Sequence, residues 1–247
     1  MTSDIHQEIS EDIESFYQAV QENWPGFKTR VGQEQMFAQI GQTLSQAKSG
    51  QDTRDGDHIL VIEGKTGVGK TLGYLIPAIV FSKRINKRVI ISTGTVALQE
   101  QLIQKDLPAL AKLSPLPFEY ALAKGRGRYV CNIRLEQVSG KAKQSALFED
   151  SNWDGPPKEK DIDHFANALN SLNEGQWNGE KDTAPPEIND SMWPRIAAER
   201  NSCLGRHCQR FNVCPYFNAR RELVKADVIV ANHDLVISTI ASGSKIL

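Results

Sequence analysis

A glycine-rich turn joins an apolar segment to an apolar helical pattern within "VIEGKTGVGKTLGYL", residues 61–75. The turn fits Gly-x-x-x-x-Gly-Lys-Ser/Thr at every fixed position and has the strand-before, helix-after context that this motif needs. Glycines let successive backbone N–H groups face one phosphate chain, and the following helix adds the positive end of its dipole. We expect Lys70 to reach the β- and γ-phosphates and the Thr71 hydroxyl to bind Mg²⁺. The predicted nucleoside triphosphate site comprises Gly64, Lys65, Thr66, Gly67, Val68, Gly69, Lys70 and Thr71.

Upstream, "RVGQEQM" places Arg30, Gln33 and Met36 at even spacing. A glutamine amide can accept a hydrogen bond from adenine N6 and donate one to N7, which would select ATP. Arg30 and Gln33 are therefore candidate ATP contacts, although a polar helix N-terminus would carry the same residues.

Downstream, "ISTGTVALQEQL" places Ser92, Thr93 and Thr95 where a predicted strand meets a predicted helix. Hydroxyl and free N–H groups at a helix N-terminus suit a nucleic-acid phosphate. Thr95 is equally suited to be the N-cap of that helix.

The four cysteines of the chain, Cys131, Cys203, Cys208 and Cys214, come from one early and one late segment. Disulfides are disfavoured in a reducing compartment, and three cysteines so close together in a polar loop argue against buried bystanders. Four thiolates suit either zinc or an iron–sulfur cluster, and their spacing alone leaves both open.

The segment before Cys131, "AKGRGRYVC", is basic and contains one aromatic residue. Lys124, Arg126 and Arg128 could follow a DNA backbone while Tyr129 stacks on a base. A solvated turn is the alternative.

Composition bounds the class of protein. The chain has 247 residues, 40% hydrophobic and 24% charged, with a net charge of −1, so any nucleic-acid site must be a local patch. The first ten residues lack the apolar core of a signal peptide, and no apolar run approaches the roughly 20 residues that span a bilayer. We expect a cytoplasmic protein.

Alternating strands and helices with short connections predict a parallel α/β sheet. From about 125 to 225 the strand pattern stops and polar loops and cysteines dominate, which indicates an insertion into the α/β domain. The predicted helices are 11–23, 31–48, 69–84 and 95–105, and the predicted strands are 58–62, 88–92, 118–122 and 227–232.

These motifs, in this order, resemble the DinG/YoaA-type iron–sulfur DNA helicases of superfamily 2, relatives of XPD, from about residue 11 to the last residue. The resemblance implies a RecA-like P-loop NTPase domain at 1–124, an inserted 4Fe–4S domain at 125–225 and a return to the RecA-like domain at 226–247. It implies ATP and Mg²⁺ as cofactors and unwinding of single-stranded or forked DNA with 5′→3′ polarity by a monomer, without a membrane partner. It assigns Gln33 to adenine, the four cysteines to the cluster, and the segment containing Ser92, Thr93, Thr95 and Gln99 to single-stranded DNA.

Two features depart from the family pattern. Gly64 and Lys65 stand where the family commonly has Ala-Pro, and the acidic box that holds Mg²⁺ and activates water is not found. Asp234 has no Glu after it, so we reject it as that acid. We therefore expect an N-terminal piece that binds ATP weakly, turns it over negligibly and carries no catalytic residues beyond Lys70 and Thr71.

Two other functions stay open. One is a non-catalytic DNA- or partner-binding iron–sulfur module. The other is a P-loop kinase or GTPase with a zinc site.

Overall fold

The computed structural model describes residues 2–46, 59–140 and 159–243. The chain divides into two compact units, each with its own hydrophobic core. Unit 1 comprises Met1–Ala123 and Lys225–Leu247, and unit 2 comprises Lys124–Val224. Within the described ranges, none of the helices has the length and apolarity to span a bilayer.

Unit 1 contains a three-stranded parallel sheet in the order β1-β3-β2. The strands are β1 (Val89–Thr93), β2 (Tyr120–Leu122) and β3 (Val228–Asn232). Central strand β3 is fully buried from residue 228 to 231, and such continuous apolar runs are typical of parallel strands covered on both faces. The predicted parallel α/β fold is therefore confirmed.

Three long helices of unit 1 share one core with the sheet. The helices of unit 1, numbered along the whole chain, are α1 (Thr2–Asn23), α2 (Val31–Gln46), α3 (Lys70–Ile85), α4 (Val96–Gln101), α5 (Leu107–Leu113) and α10 (His233–Ala241). Helix α1 begins earlier than the predicted residue 11, because Ile9 extends the buried stripe by one turn. The helix predicted at 95–105 continues to residue 113, because a π turn at Leu102–Asp106 joins α4 to α5 without a break.

The predicted strand 58–62 is wrong over its described part, 59–62, which has no strand geometry. Ile59 and Val61 are 80% and 88% exposed, and no described strand pairs with this segment. A backbone segment becomes a strand only when a neighbour supplies hydrogen bonds, so its β-branched composition was insufficient.

The described part of unit 2 is built from helices, short 3₁₀ turns and two isolated antiparallel bridges. Its helices are α6 (Asn132–Val138), α7 (Glu159–Asn173), α8 (Trp193–Ile196) and α9 (Pro215–Lys225). Phe165, Leu135 and Ile196 are fully buried at its centre, and the Trp177 and Trp193 rings meet edge to face at 6.3 Å. This core supports the loops that carry the cysteines.

Candidate functional site

The glycine-rich turn ends at the N-terminus of α3, where Lys70 is the first helical residue. Gly67 and Gly69 both have φ of 84°, a conformation that side chains other than glycine rarely adopt. The Lys70 ammonium donates to the carbonyl oxygens of Gly64 at 2.8 Å and Lys65 at 3.2 Å. The loop therefore folds around a positive charge at the positive end of a helix dipole, which suits a polyphosphate.

Thr71 lies half-exposed in the first turn of α3, three residues before Tyr74. Burial, and then the nearby Asp106 carboxylate, raises the pKa of Tyr74, so the phenol stays protonated at neutral pH. The exposed Arg30 side chain also reaches this loop, since its Nη1 would lie 3.1 Å from a methyl group added at Gly69. The structure thus brings Arg30 and Thr71 to the turn on which Lys70 lies.

Gln33 supports the turn from beneath and is only 1% exposed. Its Nε2 donates to the Gly69 carbonyl at 2.9 Å, and its Oε1 accepts from the Tyr17 hydroxyl at 3.5 Å. The preceding Gly32 lies so close to Val68 that an added methyl would stand 2.7 Å from that side chain. Both ends of the Gln33 amide are thus engaged by protein, and an adenine contact would require it to leave these partners.

The ends of β1 and β3 form a second polar region. Ser92 Oγ lies 2.7 Å from His233 Nδ1, and both residues are exposed. Thr95 caps α4, because its hydroxyl accepts from the Leu98 N–H at 3.3 Å. His233 is a polar residue of this region that was not among the predicted site residues. It directly follows β3, and the ends of adjacent parallel strands meet at one sheet edge, so its position carried a signal.

Thr93 and Gln99, predicted with Ser92 and Thr95 to contact DNA, are each only 7% exposed. The Thr93 hydroxyl donates to the Thr95 carbonyl at 3.3 Å. The exposed residues around this strand end are therefore Ser92, Gly94 and Thr95.

Two of the three cations in the basic segment of unit 2, Lys124 and Arg128, are paired with carboxylates. The Lys124 ammonium contacts Glu180 at 2.5 Å and Asp182 at 3.0 Å, and Arg128 also pairs with Asp182. Tyr129 is 3% exposed, and burial raises its pKa strongly, so stacking on a base would require its ring to leave the interior of unit 2.

Arg126 turns inward. Its guanidinium carbon lies 4.1 Å from the Tyr216 ring centroid, and its buried Nη1 has no hydrogen-bond partner among the described residues. The side chain lines a cavity rather than a free basic surface.

All four cysteines line that same cavity in unit 2, each half-buried and none in a disulfide. Cys131 is positioned by its N–H, which donates to the Ile196 carbonyl at 2.7 Å. Burial raises the pKa of Cys131, and the neighbouring Cys214 adds to the rise. Burial likewise raises the pKa of Cys214, with Cys203 and Cys208 contributing.

Two features of unit 2 bear on Cys214: a close packing contact at the residue after it, and nearby backbone N–H groups. Gly179 has φ of 81°, and a methyl group there would lie 2.3 Å from the ring of Pro215, the residue after Cys214. The backbone N–H groups of Phe217 and Tyr216 partly offset that rise in the pKa of Cys214, because they would stabilise a thiolate. Across the three described ranges, no three His, Cys, Asp or Glu side chains stand close enough together to hold one metal ion.

Comparison with known proteins gives a consistent result. A family model described as "DEAD/DEAH box helicase" matches residues 43–124. The chain is 38% identical over 245 residues, 98% of its length, to "ATP-dependent DNA helicase DinG" of Photobacterium profundum, and 37% identical over 236 residues, 95% of its length, to the protein so named in Escherichia coli K12. It spans about a third of these relatives, 34% and 32% of their lengths.

Proposed function

Because this chain belongs to the DinG-type family of DNA helicases, we propose that it is the N-terminal, ATP-binding part of an ATP-dependent helicase that moves 5′→3′ on DNA. The observation that carries this proposal is the turn at the start of α3, where Lys70 is enclosed by the loop carbonyls. Turnover by the chain alone is expected to be negligible, since no acidic metal-binding box was found in its sequence.

In this proposal, Lys70 changes its hydrogen-bond partners when ATP binds at the turn. The Lys70 ammonium leaves the carbonyl oxygens of Gly64 and Lys65 for the β- and γ-phosphates, whose negative charge is the stronger acceptor. The Thr71 hydroxyl would hold Mg²⁺. Gln33 fixes the position of the loop through Gly69, and its proposed adenine contact would follow release from that carbonyl.

Single-stranded DNA, or the single strand of a fork, is the proposed partner of the sheet edge. Ser92, Thr95 and His233 offer exposed donors to a phosphate, and helix N-termini favour anions. Lys124 and Arg128 would reach DNA only by exchanging Glu180 and Asp182 for phosphates. We propose that the protein acts as a monomer in the cytoplasm, without a membrane partner.

We further propose that the four cysteines hold a 4Fe–4S cluster. All four line one cavity of unit 2, and four thiolates drawn from separate segments are the ligand set of such a cluster. Such a cluster would supply a redox-active link that ties Cys131 to the loop ending at Cys214.

Nucleotide binding tests the first proposal. Lys70→Ala in the 247-residue chain should remove measurable binding of a fluorescent ATP analogue, because the charge inside the loop is lost. Lys112→Ala, which removes an exposed charge on α5, is the matched control and should bind like the unaltered chain. Unchanged binding by Lys70→Ala would reject the assignment.

Metal analysis tests the cluster. Protein purified without air should be brown and contain about four iron and four sulfide per chain. Stoichiometric zinc in a colourless protein would reject the cluster without affecting the ATP proposal.

A further inference from the structure

We infer that Arg126 donates a hydrogen bond to the sulfur of the cluster proposed above and raises its reduction potential. This inference rests on the proposed 4Fe–4S cluster and concerns a residue that the cysteine spacing does not indicate. It begins from an unpaired donor: Arg126 Nη1 is buried without a hydrogen-bond partner among the described residues. Buried charged donors without partners are costly, so an unpaired guanidinium nitrogen needs an explanation.

The surroundings of Arg126 differ from those of the other arginines that line the cysteine cavity. Arg134 donates to Glu199 at 2.7 Å, and Arg210 to Glu136 at 2.8 Å, so both of those guanidinium groups already face carboxylates. Arg126 instead lies over the Tyr216 ring at 4.1 Å and near the Phe217 ring at 5.9 Å. Ring faces stabilise a cation but leave its N–H groups, which lie in the guanidinium plane, available to an acceptor.

The backbone around Arg126 is fixed, which restricts where that donor can point. The 3₁₀ turn Arg126–Arg128 is closed by the Arg128 N–H to the Gly125 carbonyl at 2.9 Å. The Trp193 indole donates to the Gly127 carbonyl at 2.7 Å and ties the turn to the core of unit 2. A buried donor on a braced turn, in the wall shared by four cysteines, is placed for an acceptor that fills the cavity.

The chemistry of the acceptor follows from the cofactor. A 4Fe–4S cluster bound by four thiolates is an anion, and its sulfide and cysteine sulfurs accept hydrogen bonds. Adding one electron increases the negative charge, so a nearby guanidinium stabilises the reduced form more than the oxidised form. Removing this positive charge should therefore make the midpoint potential more negative.

The test is a reductive titration with dithionite, followed by electron paramagnetic resonance, of anaerobically purified full-length chain. Arg126→Gln and Arg126→Met remove the charge, Arg126→Lys keeps it, and Arg128→Met removes the neighbouring arginine that does not line the cavity. We expect the two neutral variants to favour the oxidised cluster at least tenfold more than the unaltered protein. For a one-electron couple this is a shift of about 59 mV to more negative potential. Arg126→Lys and Arg128→Met should lie nearer the unaltered value.

Each outcome of the titration supports or overturns the proposed role of Arg126. Neutral variants with full iron content and an unshifted potential would overturn the inference, while leaving the cluster itself in place. If the neutral variants lose the cluster on purification, retention by Arg126→Lys supports the charge, and loss by Arg126→Lys as well overturns it. Zinc in the unaltered protein would instead reject the cluster and this inference with it.

Discussion

The contact between Gly179 and Pro215 offers a sharp test of how unit 2 positions Cys214. Replacing Gly179 by Ala would place a methyl group 2.3 Å from Pro215 Cγ and 2.6 Å from its Cβ, at a φ of 81°. The proline ring can change only its pucker and stays bonded to its own backbone nitrogen, so the chain itself must shift. Gly175→Ala is a matched control, because its φ is 72° and nothing lies within 4 Å of the added methyl.

Gly179→Ala has two energetic costs, backbone strain at a positive φ and overpacking against Pro215, and each can be worked out separately. The left-handed conformation costs alanine about 1–2 kcal/mol at either position. Overpacking against a rigid neighbour adds about 1–3 kcal/mol at Gly179 alone. We therefore expect Gly179→Ala to lower the free energy of unfolding of unit 2 by about 2–5 kcal/mol and Gly175→Ala by about 1–2 kcal/mol.

Urea unfolding of the metal-free chain, followed by tryptophan fluorescence, measures both. With Trp24 and Trp153 replaced by Phe, the remaining indoles of Trp177 and Trp193 are 4% and 5% exposed in the core of unit 2 and report on that unit. Equal losses of stability in the two alanine variants would refute the packing argument. Under the cluster proposal, iron content should fall in Gly179→Ala and stay normal in Gly175→Ala.

Three further outcomes are expected. Gly69→Ala should destabilise unit 1 more than Gly67→Ala, because only at Gly69 would the methyl meet a buried glutamine amide, at 2.4 Å. Hydrogen exchange in α2 and α3 measures this difference, and equal protection in the two variants would contradict it. Burial raises the pKa of Cys131 and Cys214, so their alkylation in the metal-free chain should reach full rate at a higher pH than that of a free thiol. For the same reason, the free energy of unfolding should fall as the pH rises above the ordinary thiol pKa of about 8.5. An alkylation profile like that of a free thiol would argue against buried cysteines. Lys124→Met should change the salt slope of single-strand binding by less than the roughly 0.7 expected for a free phosphate contact, because two carboxylates already neutralise this lysine; a full decrease would mean that DNA displaces them.

The nucleotide turn could be predicted from sequence because its chemistry is local. Gly67, Gly69 and Lys70 are near neighbours in the chain, and spacing alone fixes that two glycines bend the loop before a helix begins. Gln33 illustrates the limit of such reasoning. Its residue type suits adenine, but whether the amide faces a ligand or the Gly69 carbonyl depends on how α2 packs against the turn.

The basic segment shows the same limit for charges. Lys124 and Arg128 stand in a sequence typical of a phosphate-binding loop, yet their partners Glu180 and Asp182 lie more than fifty residues later. No local sequence pattern predicts those ion pairs. Tyr129 is buried because its backbone forms an antiparallel bridge with Glu180, which again is a long-range pairing.

The segment 59–62 shows that a strand-forming composition is not sufficient to form a strand. Its apolar, β-branched residues favour a strand, and β3, of similar composition, is one. The difference lies in the neighbours: β3 receives hydrogen bonds from β1 and β2 on its two sides, whereas no described strand pairs with residues 59–62. Strand propensity measures how well side chains fit a pleated, half-buried surface, and it has no effect until another strand provides that surface. The turn that follows keeps its shape because the start of α3, Gln33 and the Lys70 ammonium hold it directly.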